Sequence, residues 1–201
     1  MPGREVHGPA EEQPQRQRFV QTPAQTIGPF FGFALPYDGD AQLVPGWLPE
    51  AVHLHGFVMD GEGAPVPDAL LEIWQPDPQG RVVQEPGSRA RRGGQFTGFG
   101  RTHAGVDGSY DFTTLVPGPT RSGVRFALLT VFARGLLQHL FTRVYFMADG
   151  QPEPSDALLD SLPAPRRRTL FAVPDGAHSY RFDVRLQGEQ ETVFLDYPGD
   201  T

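Results

Sequence analysis

His53 and His55 stand one residue apart in VHLHGFVM (52–59). On an extended strand, residues i and i+2 share a face, so the two imidazoles are spaced to grip a metal ion together. A metal site needs a third and usually a fourth ligand, and no obvious one lies nearby. Two outward-facing histidines is the simpler reading. Glu72, two residues before Trp74 in ALLEIWQ (69–75), is an acid/base candidate or an ordinary carboxylate on a polar strand face. His103 and His139 are expected to be buried and hydrogen-bonded, and His7 and His178 to lie in polar loops. Arg134 ends the apolar run FALLTVFARG (126–135). A planar guanidinium there suits fork-like recognition of a carboxylate or an ion pair at an interface. No nucleophile elbow, phosphate loop or dinucleotide fingerprint occurs, and the glycine-rich GGQFTGFG (93–100) follows no strand-to-helix pattern. The residues read alone give no catalytic constellation.

Composition limits what else the chain could do. It has 201 residues, a net charge of −7 and no cysteine. Disulfides and thiolate metal sites are therefore excluded. The acidic balance argues against a nucleic-acid partner. All 17 basic residues are arginine; Arg89, Arg91 and Arg92 cluster beside a glycine pair and read as a solvated loop. No apolar run reaches the roughly 20 residues of a membrane span, and the polar first residues carry no signal-peptide core. A cytoplasmic protein is expected.

The elements that must position these residues are mostly strands. The 24 glycines and 21 prolines suit many short strands and turns. VHLHGFVM and ALLEIWQ flank the turn cluster DGEGAPVPD (60–68), as a hairpin or a strand-to-strand corner. DGSYDF (107–112), VRFALLTVFA (124–133), LFTRVYFMA (140–148), SYRFDVRLQG (179–188) and ETVFLDY (191–197) follow. In SYRFDVRLQG, Tyr180, Phe182, Val184 and Leu186 alternate with Arg181, Asp183 and Arg185, the period of a half-buried antiparallel strand. SDALLDSL (155–162) is the one helical stretch, with Ser155 as its cap and Pro163 after its end. Residues 1–21 read as a flexible tail and 22–50 as an extended arm, in which Pro23, Gly28, Pro29 and Pro36 defeat a regular helix. Phe30, Phe31 and Phe33 on that arm call for something to lie on. Residues 51–201 form the β-sandwich.

Four stretches in order carry a resemblance: TPAQTIGPFF (22–31), GFVMDGEGAPVPDALLEIWQPDPQGR (56–81), GRTHAGVDGSYDFTTLVPG (100–118) and YRFDVRLQGEQETVFLDY (180–197). Together they resemble the intradiol ring-cleaving dioxygenases over about residues 22–197. The resemblance implies an all-β, prealbumin-like antiparallel sandwich. It also implies a non-haem ferric iron held by two tyrosinates and two histidines, at set places in the chain. This sequence departs from that pattern at each of them, with Val82, Thr120, Phe126 and Leu128 at the corresponding positions. No tyrosine lies between Tyr37 and Tyr110 or between Tyr110 and Tyr145, and no histidine between His103 and His139. Apolar residues at 126 and 128 are expected to let their strand pack as core.

The resemblance therefore implies a non-iron-binding alpha-type subunit paired with an iron-bearing beta subunit, in a symmetric assembly of such units. The iron, Fe(III), would belong to the partner. The activity implied is O2-dependent cleavage of the small aromatic substrate protocatechuate, within aromatic-compound catabolism. Thr26, Gly28, Pro29 and Arg134 are carried over as residues lent to the partner's substrate pocket. A structural reading stays open for each: a packing arm at 26–29, and an interface ion pair at Arg134. A non-enzymatic prealbumin-like binding module, and an active dioxygenase with unorthodox ligands, also stay open.

Overall fold

The structure, a computed structural model, describes residues 26–28, 31–83, 95–121, 123–147 and 150–197. The tail, Pro29, Phe30 and the arginine cluster at 89–92 lie outside them. The described residues form strands β1 (Val52–Met59), β2 (Leu70–Trp74), β3 (Phe99–His103), β4 (Ser109–Thr114), β5 (Phe126–Phe132), β6 (Leu140–Phe146), β7 (Phe171–Pro174), β8 (Ser179–Arg181) and β9 (Val184–Arg185). Three short helices join them: α1 (Phe31–Ala34), α2 (Ala157–Ser161) and α3 (Ala164–Arg168). Among the described residues no helix is long and apolar enough to cross a membrane.

The strands hydrogen-bond in the order β3-β2-β5-β6-β7-β8-β1-β4, with β9 also on β1. This is a mostly β, curled sheet. Alternation sets which side chains face inward. Val52, Leu54 and Val58 of β1 point inward, as do Ala127, Leu129 and Val131 of β5. All of these but Val52 meet Leu71, Ile73, Phe112 and Phe182 in one core cluster. Each fully buried Leu, Ile or Phe contributes about 1.5–3 kcal/mol of transfer free energy. Tyr110 sits in that core because its hydroxyl donates to the Phe182 carbonyl at 2.6 Å. Burial, and then the Asp183 carboxylate, push its pKa well above the ordinary value.

Several local expectations are corrected. Of the two readings of the DGEGAPVPD stretch the corner holds: after a local antiparallel bridge between Met59 and Pro65, β1 pairs with β4, whereas β2 pairs with β3 and β5. SYRFDVRLQG keeps its inward residues Phe182 and Val184 but is two short strands: β8, antiparallel to β7 and parallel to β1, and β9, parallel to β1. The break falls where the Asp183 carboxylate, not a backbone carbonyl, accepts the Phe57 N–H at 3.2 Å. Gly56 is required opposite, since a Cβ there would overlap the Phe182 carbonyl. ETVFLDY forms no strand, only a bridge between Leu195 and Phe141. Its N–H groups are spread over three elements: Thr192 donates to Arg185, Val193 to the Thr169 hydroxyl and Leu195 to Phe141. His103 and His139 are both exposed, and His139 packs edge-on to Phe141 at 4.5 Å. The arm does contain one helical turn, α1. A further helix, α3, follows Pro163, with Pro165 in its first turn where its missing N–H costs nothing.

The cap of α2 is Asp156, not Ser155. The Asp156 carboxylate accepts the Leu159 N–H at 2.9 Å, while the Ser155 hydroxyl donates to Asp160. Asp156 also accepts the Tyr145 hydroxyl at 2.8 Å. Burial pushes the Tyr145 phenol up to about 12, with Arg143 pulling it down and Asp156 pushing it further up. An unfolded tyrosine ionises near 10. Between those values the native state keeps a proton that the unfolded chain has lost, so stability falls as pH rises from about 10 towards 12. Tyr145→Phe is expected to lose about 1–2 kcal/mol at neutral pH with the buried hydrogen bond. It should also flatten that alkaline slope. Urea denaturation at pH 7, 10 and 11 checks both.

Candidate functional site

The four positions that lack iron-type ligands come together in space. Val82, Thr120, Phe126 and Leu128 line one cleft of about 290 Å3 on the outer side of β2 and β5. Trp74, Gln75, Pro76, Gly80 and Arg121 complete it. Leu128 thus does not pack as core, and Phe126, partly buried, packs against a second cluster that includes Tyr145, 5.4 Å away ring to ring, and not against the main core. Both occupy the face of β5 opposite Ala127, Leu129 and Val131, because the strand period of two sends alternate side chains to opposite faces.

Two loops build the walls. Asp77 organises the first: its carboxylate accepts the N–H groups of Gln79 and Arg81 at 2.9 Å and the Arg81 guanidinium at 2.8 Å. Desolvation raises the Asp77 pKa, but these Arg81 and Gln79 contacts outweigh it and hold the carboxyl below its usual value. The turn ends at Gly80, whose φ of +80° suits only glycine well, and delivers Val82 to the cleft. The second loop, Pro117–Thr120, lies directly against the first. The Gly118 N–H donates to the Asp77 carbonyl at 2.9 Å. Thr120 closes its own turn, with its hydroxyl donating to the Val124 carbonyl at 3.1 Å. Gln75 forms the buried floor; its amide donates to Leu115 and accepts from the Thr114 hydroxyl. Behind Phe126 the Arg143 guanidinium stacks at 4.4 Å from the ring centroid and donates to the Tyr145 hydroxyl.

This donor set does not fit a ferric ion. Valine, phenylalanine and leucine offer no lone pairs, and the Thr120 hydroxyl is engaged. Metal affinity rests on ligand identity and count. Among the described residues no group of three or more His, Cys, Asp or Glu is arranged to hold a metal. His53 and His55 share the outer face of β1, with His55 against Asp175 at 3.2 Å. Glu72 is held by Arg101, whose Nε donates at 2.8 Å. That makes it one half of a structural pair rather than a free acid.

The positions expected to serve a partner's pocket lie at the other end of β5. Arg134, two residues beyond the strand, is exposed and pairs with Asp68 at 2.7 Å. The Thr26 hydroxyl accepts the Gly135 N–H at 2.8 Å, fastening the arm beside Arg134. A second tether joins the arm to the sheet, where Arg101 donates to the Leu35 carbonyl at 3.1 Å. Gly28 is exposed, with open space where a side chain would stand. Pro29 lies outside the described residues. At about 3.3 Å per residue, residues 126 and 134 are separated by roughly 26 Å, so the cleft and the Arg134 corner are distinct places. The Thr26–Gly135 bond and the Asp68 pair had no signal in the sequence: their partners are 109 and 66 residues apart.

Comparison with known proteins accords with this geometry. A family model described as Dioxygenase matches residues 28–127. The alpha chain of protocatechuate 3,4-dioxygenase from Burkholderia cepacia is 40% identical over 193 residues, covering 88% of this chain and 97% of that one. The alpha chain from Pseudomonas putida is 37% identical, covering 88% and 96%. The beta chain from Burkholderia cepacia is 29% identical, covering 72% and 68%. Among solved structures, an intradiol ring-cleavage dioxygenase from Tetranychus urticae matches with a TM-score of 0.55 at 14% identity, over 83% of this chain and 94% of that one. The chain belongs to the intradiol dioxygenase family. Within it, the similarity to alpha chains of protocatechuate 3,4-dioxygenase runs over nearly their whole length.

Proposed function

We propose that this chain is the non-iron-binding alpha subunit of a protocatechuate 3,4-dioxygenase. It supports O2-dependent cleavage of protocatechuate between its hydroxyl-bearing carbons, to 3-carboxy-cis,cis-muconate. The observation that carries the reading is the loss of ligands. Four ligand positions implied by the family line one cleft, and the side chains there cannot bind iron. The near full-length similarity to alpha chains supports the same reading. The curled sheet is then the two-layered, prealbumin-like sandwich of the family, and residues 22–50 form an arm on the partner.

Fe(III) and its ligands belong to a beta subunit, and this chain lends a wall of the pocket. Thr26 anchors the arm, Gly28 and Pro29 give a backbone edge without bulk, and Arg134 presents a positive charge to the substrate carboxylate. The alpha–beta unit repeats into a larger symmetric assembly in the cytoplasm.

Co-expression with a candidate beta chain is expected to yield a stable complex with about one iron per alpha–beta pair and ring-cleavage activity. The chain expressed alone is expected to be colourless and inactive. Stoichiometric ferric iron in the lone chain, or no complex and no cleavage on co-expression, overturns the reading.

A further inference from the structure

We propose that Glu72 and Arg101 are positioning residues: together they aim the one-turn helix α1, and through it Gly28, at the pocket wall that this chain lends to its partner. The inference rests on the subunit reading above and adds to it two residues that touch no substrate.

Arg101 is a junction between the sheet and the arm. It stands directly opposite Glu72 across β3 and β2, on the side of the sheet away from Leu71 and Ile73. Its guanidinium donates to one Glu72 oxygen from Nε at 2.8 Å and from Nη2 at 2.5 Å. Both side chains are mostly buried, at 20% and 23% exposed. Fixed in this way, Nη1 donates to the Leu35 carbonyl at 3.1 Å, while the Arg101 backbone N–H donates to the Asp40 carbonyl at 2.8 Å. One residue thus fastens both ends of the segment 35–40. Leu35 follows α1 directly. Its N–H donates to the Phe31 carbonyl at 3.1 Å, and the Phe31 N–H donates to the Gly28 carbonyl at 3.4 Å. Hydrogen bonds therefore run without a break from Glu72 through Arg101, Leu35 and Phe31 to Gly28. A single helical turn does not hold itself in water, because its nucleus is costly. What keeps α1 in place is what holds its ends. Arginine suits the C-terminal end, where helix carbonyls lack partners, and its planar fork serves Glu72 and Leu35 from different nitrogens at once. The Thr26 hydroxyl, bonded to Gly135, holds the other end of the arm. Loss of the Arg101 tether lowers the fraction of chains whose arm is seated, and apparent affinity falls in proportion. Substrate bound to a seated arm reacts as before, so KM rises and kcat does not fall.

The test uses Arg101→Gln in the assembled alpha–beta complex. KM for protocatechuate is expected to rise about five- to tenfold, with kcat within about twofold of the original. Hydrogen exchange read by mass spectrometry should show the amides of residues 31–35 exchanging about tenfold faster in the lone chain, with those of β5 unchanged. The double variant Glu72→Gln/Arg101→Gln leaves no charge without its partner. It should fold normally by circular dichroism and raise KM to the same extent. Arg181→Gln, which breaks an ion pair with Asp183 on β8, should leave both KM and the exchange of residues 31–35 unchanged. An inactive original complex overturns the subunit reading, and this proposal with it. Where the original complex is active, an unchanged KM in the double variant, unchanged exchange at residues 31–35, or an equal rise in KM for Arg181→Gln each overturns the positioning role alone.

Discussion

Replacing Arg134 by alanine in the assembled alpha–beta complex is expected to lower kcat/KM for protocatechuate by roughly 10- to 100-fold, with little change in thermal stability. The two halves of that expectation have different causes. Arg134 keeps 55% of its side chain exposed and Asp68 keeps 38%; exposed ion pairs contribute only about 0–1 kcal/mol to folding. A charge-assisted bond to a substrate carboxylate in a closed interface is worth about 1.5–3 kcal/mol. At about 1.4 kcal/mol per decade that gives the stated range. The loss should be specific to the carboxylated substrate, so the ratio of protocatechuate to catechol turnover should fall in Arg134→Ala. Asp68→Asn should act in the same direction but more weakly. It frees the guanidinium from the group that aims it, at a residue whose φ of +62° already marks a fixed corner. Unchanged kinetics together with a weaker complex would make Arg134 an interface residue only.

Gly118→Ala should be strongly damaging although it adds only one methyl group near the cleft. An added Cβ would overlap the backbone nitrogen of Gly80 and the carbonyl of Pro78. Neither is a flexible side chain that can swing away, and both belong to the Asp77 turn. Overpacking costs about 1–3 kcal/mol where side chains can adjust, and more where they cannot. We expect about 3 kcal/mol or more. For a domain of this size, each kcal/mol lowers Tm by about 2–4 °C, so a fall of roughly 6–12 °C is expected. Gly32→Ala is the control: a Cβ there meets nothing within 4 Å and φ is not in the left-handed region, so Tm should hold or rise slightly. Scanning calorimetry on the two variants separates close backbone packing from a general effect of alanine. A Gly118→Ala protein with unchanged Tm would refute the stacked-loop account.

Strand positions were legible in the sequence where burial alternates cleanly. β1 and β5 place Leu54, Val58, Leu129 and Val131 as the period-two pattern requires. Pairing partners were not legible, because the same alternation suits a parallel or an antiparallel neighbour. Hence SYRFDVRLQG, which reads as a simple antiparallel strand, is antiparallel to β7 over β8 but parallel to β1 over both β8 and β9. The helix cap shifted by one residue for a similar reason. Ser155 and Asp156 are both good caps by type, and the Tyr145 hydroxyl, on the preceding strand β6, favours Asp156 by donating to its carboxylate.

The candidate sites divide in the same way. By its residue types alone, the sequence determined that no cysteine, no tyrosine at 82 or 120 and no histidine at 126 or 128 is available to a metal. It also placed Arg134 at the end of an apolar strand. Only the tertiary structure decided which face of β5 those residues occupy. Phe126 and Leu128 are as apolar as core residues, so composition sent them inward. The register of Leu129 and Val131 sends them outward, where the Asp77 and Pro117–Thr120 loops close around them. Whether an apolar side chain fills a core or lines a cleft depends on what the opposite wall supplies. That wall comes from residues distant in the chain, so only folding brings it into place.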